Sequence, residues 1–227
     1  MKLGWIDKYQ VFLFDFDGLL VNTEYLHFEA YSRMTAERGH HLTWNYDRFV
    51  GIAHLSSSGL RDTIYDELPA LYEEEPNWDV LYQEKKTAYE KLLQEGTLEL
   101  LPGVKEVLEL LQKTNKKRAV VTNSTKSQTE AIKKALPILQ TIPEWITRED
   151  YKNPKPHPEC YKIAIEKLAK SGDRVIGFED STRGIKALLD AGVKNAVLIC
   201  PSNHPQLFLD SLPIVPHFTT FLEIKNI

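Results

Sequence analysis

Two aspartates stand one residue apart at the end of an apolar run, VFLFDFDG at residues 11–18. Carboxylates that close repel, so Asp15 and Asp17 sit together at a cost unless something positive lies between them. Other groups able to do chemistry follow further short apolar runs: Thr122 and Asn123 in AVVTNS, Lys155 in the loop NPKPHP, and Glu179 with Asp180 in VIGFEDS. If they meet, they form an acidic site organised around positive charge. An Asp-x-Asp pair alone arises by chance, so its meaning rests on the elements that position it.

Those elements show two periodicities. The runs at Val11–Phe14, Arg118–Thr122, Glu144–Thr147, Arg174–Phe178 and Ala196–Cys200 are short, β-rich and almost continuously apolar, as strands covered on both faces are. Between them GVKEVLELLQKT, KSQTEAIKKAL, HPECYKIAIEKLAK and STRGIKALLDAG repeat apolar residues at three and four, and Gly192 closes the last as a helix terminator. This alternation from about residue 103 to 200 predicts an α/β fold with a doubly wound parallel sheet, a Rossmann-like core. Ligands of such a sheet sit at the carboxyl ends of its strands. Asp15, Asp17, Thr122, Asn123, Glu179 and Asp180 all fall there, with Lys155 in the loop after the third run.

Residues 22–96 break the alternation. They carry helical patterns (EYLHFEAYSRMTAERG, SSSGLRDTIYDELPALY, WDVLYQEKKTAYEKLLQEG) and no convincing buried strand. The expected organisation is a core of residues 1–21 and 97–227 interrupted by an all-helical insert at 22–96. The acidic YEEEP and the basic KTNKKR read as solvated loop or helix-end surface.

With 28 Lys and Arg against 32 Asp and Glu, the formal charge is −4, which gives no support to a nucleic-acid or anionic-membrane partner. No window approaches a membrane span, and MKLGWIDKYQ lacks the apolar stretch of a signal peptide, so a soluble cytoplasmic protein is expected. Cys160 and Cys200 have neither metal-ligand nor redox spacing and read as reduced thiols.

Taken together and in order, DFDGLLVNTE, VVTNS, KPHP and GFEDS resemble the four signature motifs of the haloacid dehalogenase-like hydrolases. The likeness is to the branch of phosphatases and β-phosphoglucomutase-like enzymes with a helical cap after the first motif, and it spans essentially the whole chain. It implies that Asp15 attacks phosphorus to form an aspartyl phosphate, and that Asp17 serves as general acid and then base. It implies that Thr122 and the Asn123 amide bind phosphoryl oxygens and that Lys155 pairs with nucleophile and phosphate. It also implies a magnesium ion held by Asp15, the main-chain carbonyl of Asp17, Asp180 and Glu179, the last directly or through water. An oxygen-only ligand set suits magnesium rather than zinc, and its charge would offset the repulsion noted above. Dehalogenating members lack an acid at the second position, so Asp17 favours phosphoryl transfer. Read without the likeness, TNSTKSQTE is a helix entry in which Thr125 with Gln128, or Ser127 with Glu130, forms a capping box.

Substrate choice in this family comes from the cap, which closes over the site. His27 resembles a residue that assists proton traffic or hydrogen-bonds Asp17, and Gly51, in the loop RFVGIAHLSS, matches the cap glycine expected near substrate. Where the β-phosphoglucomutase pattern has a lysine before that glycine and an arginine three after, this chain has Val50 and His54. Histidine does not replace a bidentate arginine as the grip for a second phosphate, although Arg48 or Arg61 are available as substitutes. The expectation is a magnesium-dependent phosphatase, monomeric or a weak homodimer, acting on a small phosphorylated metabolite such as a sugar or polyol phosphate. A phosphosugar mutase is the nearest alternative. A non-catalytic phosphometabolite binder is the alternative of another class, and the acids at 15, 17 and 180 argue against it.

Overall fold

Val11–Phe14 has no polar side chain, and all four residues are fully buried, as a strand with neighbours on both edges and cover on both faces must be. The computed structural model, which describes residues 4–53, 57–96, 98–208 and 213–227, places this strand, β1, inside a six-stranded sheet. The others are β2 (Lys117–Val121), β3 (Glu144–Ile146), β4 (Val175–Glu179), β5 (Asn195–Ile199) and β6 (His217–Phe218), in the order β3-β2-β1-β4-β5-β6. All pairings are parallel. Register sets Phe14 between Val120 and Phe178. Because side chains alternate between faces, Phe14 stacks on Phe178 at 5.3 Å and both meet Phe221 on one face. Val11 and Leu13 join Ala119, Val121, Tyr161 and Leu188 in another cluster.

The helices, in chain order, are α1 (Glu24–Glu37), α2 (Tyr46–Ala53), α3 (Ser57–Glu67), α4 (Pro69–Glu74), α5 (Trp78–Glu95), α6 (Val104–Lys113), α7 (Lys126–Ala135), α8 (Glu159–Leu168) and α9 (Thr182–Asp190). Helix α7 starts on the capping box of Thr125 and Gln128, the first of the two pairs available in the sequence.

Two compact units result: Met1–Asn22 with Leu98–Ile227, and Thr23–Thr97. In the first, the points where the chain leaves and returns are tied together. The Asn22 N–H donates to the Glu99 carbonyl at 3.1 Å, and the Glu99 N–H donates to Asn22 Oδ1 at 2.9 Å. The second unit is helical, and α1 packs along α5. Its core includes Phe28, Met34, Phe49, Ile64 and Leu81.

Four local expectations are corrected. RFVGIA, the described start of the stretch read as a loop, is helical in α2, because burial of Phe49 and Val50 outweighs the roughly 1 kcal/mol helix cost of Gly51. SSSGLRDTIYDELPALY breaks into α3 and α4, since Pro69 has no N–H to continue the ladder and instead opens the second helix. The two-residue strand β6 is too short to show a period. Arg118, within the basic KTNKKR, is buried; its guanidinium donates to the carbonyls of Leu111, Lys116 and Thr141. Cys160 and Cys200 are buried thiols outside any disulfide, and burial pushes the Cys160 thiol up to about 11. Among the described residues no helix is long and apolar enough to cross a membrane.

Candidate active site

Asp15, Thr122 and Glu179 stand where β1, β2 and β4 end. The ladder runs one residue past the strands: Asp15 N–H donates to Phe178 O at 3.0 Å, and Thr122 N–H donates to Ile146 O at 2.9 Å. Parallel strands in register therefore deliver these side chains to the same end of the sheet. Just beyond Asp17 the chain turns at Gly18, whose φ of +76° favours a residue without Cβ.

Lys155 reaches this end from the loop before α8 and is buried. Its ammonium donates to Asp15 Oδ1 at 2.5 Å, Glu179 Oε1 at 2.7 Å and the Val121 carbonyl at 2.7 Å, which uses all three of its protons. The Tyr161 hydroxyl, on α8, also donates to Glu179 Oε1. Behind Glu179 lies Gly184, where an added Cβ would come within 1.9 Å of a carboxylate oxygen. Only glycine leaves room for Glu179 there.

Carboxylate oxygens of Asp15, Glu179 and Asp180 lie within 4.8 Å of one another, all three residues buried. If all three were ionised, these carboxylates and the Lys155 ammonium that contacts two of them would sum to a formal charge of −2. Burial, and then the Glu179 charge, push the Asp15 carboxyl up to about 8 against the pull of Lys155. Burial and then Asp180 raise Glu179 as well. Burial alone would lower the Lys155 ammonium, but Asp15 and Glu179 together hold it well above its ordinary value, so it stays charged. With all three carboxylates ionised, this cluster of oxygen donors has two negative charges in excess, which fits a hard divalent cation.

Asp17 faces a second group. The hydroxyls of Ser124 (2.6 Å) and Thr122 (3.2 Å) both donate to its Oδ2, while Thr122 Oγ1 accepts from the Ser124 N–H at 2.9 Å. Tyr151 fastens this loop: its hydroxyl lies 2.8 Å from the Thr122 carbonyl and 2.6 Å from Asn123 Oδ1. The predicted residues Asp15, Asp17, Thr122, Asn123, Lys155, Glu179 and Asp180 thus fall within one connected set. His27 and Gly51 belong to the helical unit. There His27 Nδ1 lies 2.7 Å from the buried Lys85 ammonium and its ring stacks on Tyr89 at 4.2 Å, while Gly51 lies within α2. His54 falls outside the described residues.

A family model for haloacid dehalogenase-like hydrolases matches residues 12–198. The chain belongs to that family. Among the relatives of this hydrolase is a phosphorylated carbohydrates phosphatase of Thermotoga maritima, 30% identical over 190 residues that cover 80% of this chain and 81% of the relative. Another is a validoxylamine A 7'-phosphate phosphatase of Streptomyces hygroscopicus, 30% identical over 185 residues, 82% of this chain and 83% of the relative. The crystal structure of β-phosphoglucomutase from Clostridium difficile superposes with a TM-score of 0.69 over 86% of each chain at 24% identity, a likeness of fold alone.

Sequence reasoning left out four residues of this candidate site: Ser124, Tyr151, Tyr161 and Gly184. Tyr161 had a signal, since it lies on the apolar stripe of α8 six residues after Lys155, where a hydroxyl is the exception. Tyr151 had none, because its partners are 29 and 28 residues away.

Proposed function

We propose that this chain is a magnesium-dependent phosphatase that hydrolyses a small phosphorylated metabolite, a sugar or polyol phosphate, through a phosphoryl group carried on Asp15. The observation that carries the reading is the buried contact of Asp15 with Lys155 beside Glu179 and Asp180. A phosphoric monoester hydrolase is the enzyme class that the family and the named phosphatases among its relatives support.

Asp15, Asp180 and the Asp17 main-chain carbonyl would hold magnesium, with Glu179 at one remove because its Oε1 already serves Lys155 and Tyr161. When bound, the ion supplies positive charge that lets an anionic carboxylate meet an anionic phosphate. The remaining chemistry belongs to the chain. Lys155 holds Oδ1 of Asp15 in place, leaving Oδ2 to form the bond to phosphorus as the ester oxygen departs. Asp17, whose Oδ2 accepts the Ser124 and Thr122 hydroxyls, gives a proton to that oxygen. Water then attacks phosphorus, Asp17 takes back a proton, and the Asp15 carboxylate leaves. The Thr122 hydroxyl, whose proton is given to Asp17 here, turns toward the phosphoryl oxygens when substrate arrives. The helical unit is read as the family's cap, the part from which substrate choice comes.

Hydrolysis is favoured over a mutase by the helical unit's cations. Val50 is buried, Arg48 is paired with Glu67, and Arg61 with Asp62, so these positions offer no ready grip for a second phosphate. The test is phosphate release across a panel of sugar and polyol phosphates with magnesium present. Turnover of at least one member, abolished by chelator, is expected. A panel that releases none, or isomerised sugar phosphate outpacing free phosphate, would sink the reading.

A further inference from the structure

Gln206 lies in the 3-10 turn Pro205–Phe208 after β5, and its side chain is only 2% exposed. Its two ends serve different partners. Nε2 donates to the Asp180 carbonyl at 2.5 Å, while Oε1 accepts from the Thr182 N–H at 2.6 Å and the Thr182 hydroxyl at 3.0 Å. A side chain that donates from one atom and accepts at another is what this pattern requires, and a neutral amide supplies it without adding charge. The three bonds bracket the peptide Asp180–Ser181–Thr182. On its far side Ser181 Oγ caps α9 by accepting from Gly184 N–H at 3.1 Å.

Asp180 needs such a tether. Its carboxylate stands within 4.8 Å of those of Asp15 and Glu179, and like charges drive a free loop apart. A loop that had relaxed would have to be drawn back by the incoming cation, and that work would be lost from its affinity. We propose that Gln206 is a positioning residue for the divalent-cation site, clamping the main chain on both sides of Ser181 so that Asp180 is presented to the cation. The proposal rests on the reading of Asp180 as a cation ligand. It adds an element of the fold, the turn after β5, that none of the four motifs contains.

The test is calorimetric titration of substrate-free, chelator-treated full-length protein with magnesium alone, alongside thermal unfolding. Gln206→Met keeps the length of the side chain and removes both its donor and its acceptor. It is expected to weaken magnesium binding about 10- to 100-fold, the usual effect of losing a ligand's supporting partner. Turnover at saturating magnesium should then return to within a few-fold of the parent. Thr182→Ala, which deletes one of the three bonds, should shift affinity the same way by less, and it carries the test if Gln206→Met does not fold. Asp180→Asn is the control. A lower unfolding midpoint with unchanged magnesium affinity in both the Gln206 and Thr182 variants, while Asp180→Asn binds weakly, assigns Gln206 to packing and overturns the proposal. Unchanged affinity in Asp180→Asn removes the cation reading itself, and the proposal with it.

Discussion

Each unit sets one cation between two carboxylates, and the two settings push those acids in opposite directions. In the sheet unit Lys155 bridges Asp15 and Glu179, all three buried, and both acids are raised. In the helical unit Arg38 bridges Glu84 and Glu74, whose side chains are 37% and 45% exposed, and both acids are lowered, by hydrogen bonds from Arg38 and, for Glu74, first from His40. The pairing is similar and the solvent is not. Where water is excluded, the cost of desolvating a carboxylate exceeds what one shared ammonium returns; where water remains, the partner's pull decides. The buried trio is held by its surroundings at an energetic cost, as reactive groups often are, and the exposed one merely pins helices.

Four experiments sharpen or break this contrast. The largest effect is expected from Asp15→Asn: phosphate release should fall at least ~10⁴-fold with no phosphoenzyme trapped in acid quench, as for loss of a nucleophile. Residual activity above about 1% would remove Asp15 from the chemistry. Next comes Lys155→Met, which leaves Asp15 and Glu179 facing each other without their ammonium. Denaturant unfolding should show a loss of about 3–5 kcal/mol, the penalty for stranding buried charge, together with loss of turnover. A variant as stable as the parent would mean that the acids had simply taken up protons.

The third concerns pH in chelator-treated protein. Asp15 titrates near 8 when folded and near 4 when unfolded, so between those values the folded chain holds a proton that the unfolded chain has released. Stability through this group must therefore fall as pH rises across the window. For Glu74 and Glu84 the sign reverses, with stability present above the ordinary carboxylate range and lost only in acid. Melting followed by circular dichroism should fall between pH 5 and 8 in the parent and fall less in Asp15→Asn; equal slopes would refute the assignment. The smallest effect belongs to Arg38→Ala, where exposed partners limit the loss to under about 1 kcal/mol. A loss as large as that of Lys155→Met would erase the distinction between the two settings.

Much of the sheet was legible because a fully buried strand leaves no room for polar residues: VFLF, AVV and VIGF announce themselves, and the strand-end rule then locates Asp15, Thr122 and Glu179. The helical unit was harder. A glycine and two β-branched residues within Tyr46–Ala53 argue locally for a loop, and only the burial of Phe49 and Val50 against other helices overrules them. At the candidate site the charged residues and Thr122 were read from the motifs, whereas the Ser124, Tyr151 and Tyr161 hydroxyls and the Gln206 amide were not. Ser124 meets Asp17 across 107 residues and Gln206 meets Asp180 across 26, and neither contact has a period or a spacing that a linear reading could detect.

The knot of two hydrogen bonds between Asn22 and Glu99 has a consequence for how such a chain can change over generations. Because the polypeptide departs and comes back through adjacent positions, any excursion whose ends meet at that spacing can occupy the gap without moving a strand. Selection can therefore rewrite the 75-odd residues between these anchors while the side chains at the sheet's end are inherited untouched.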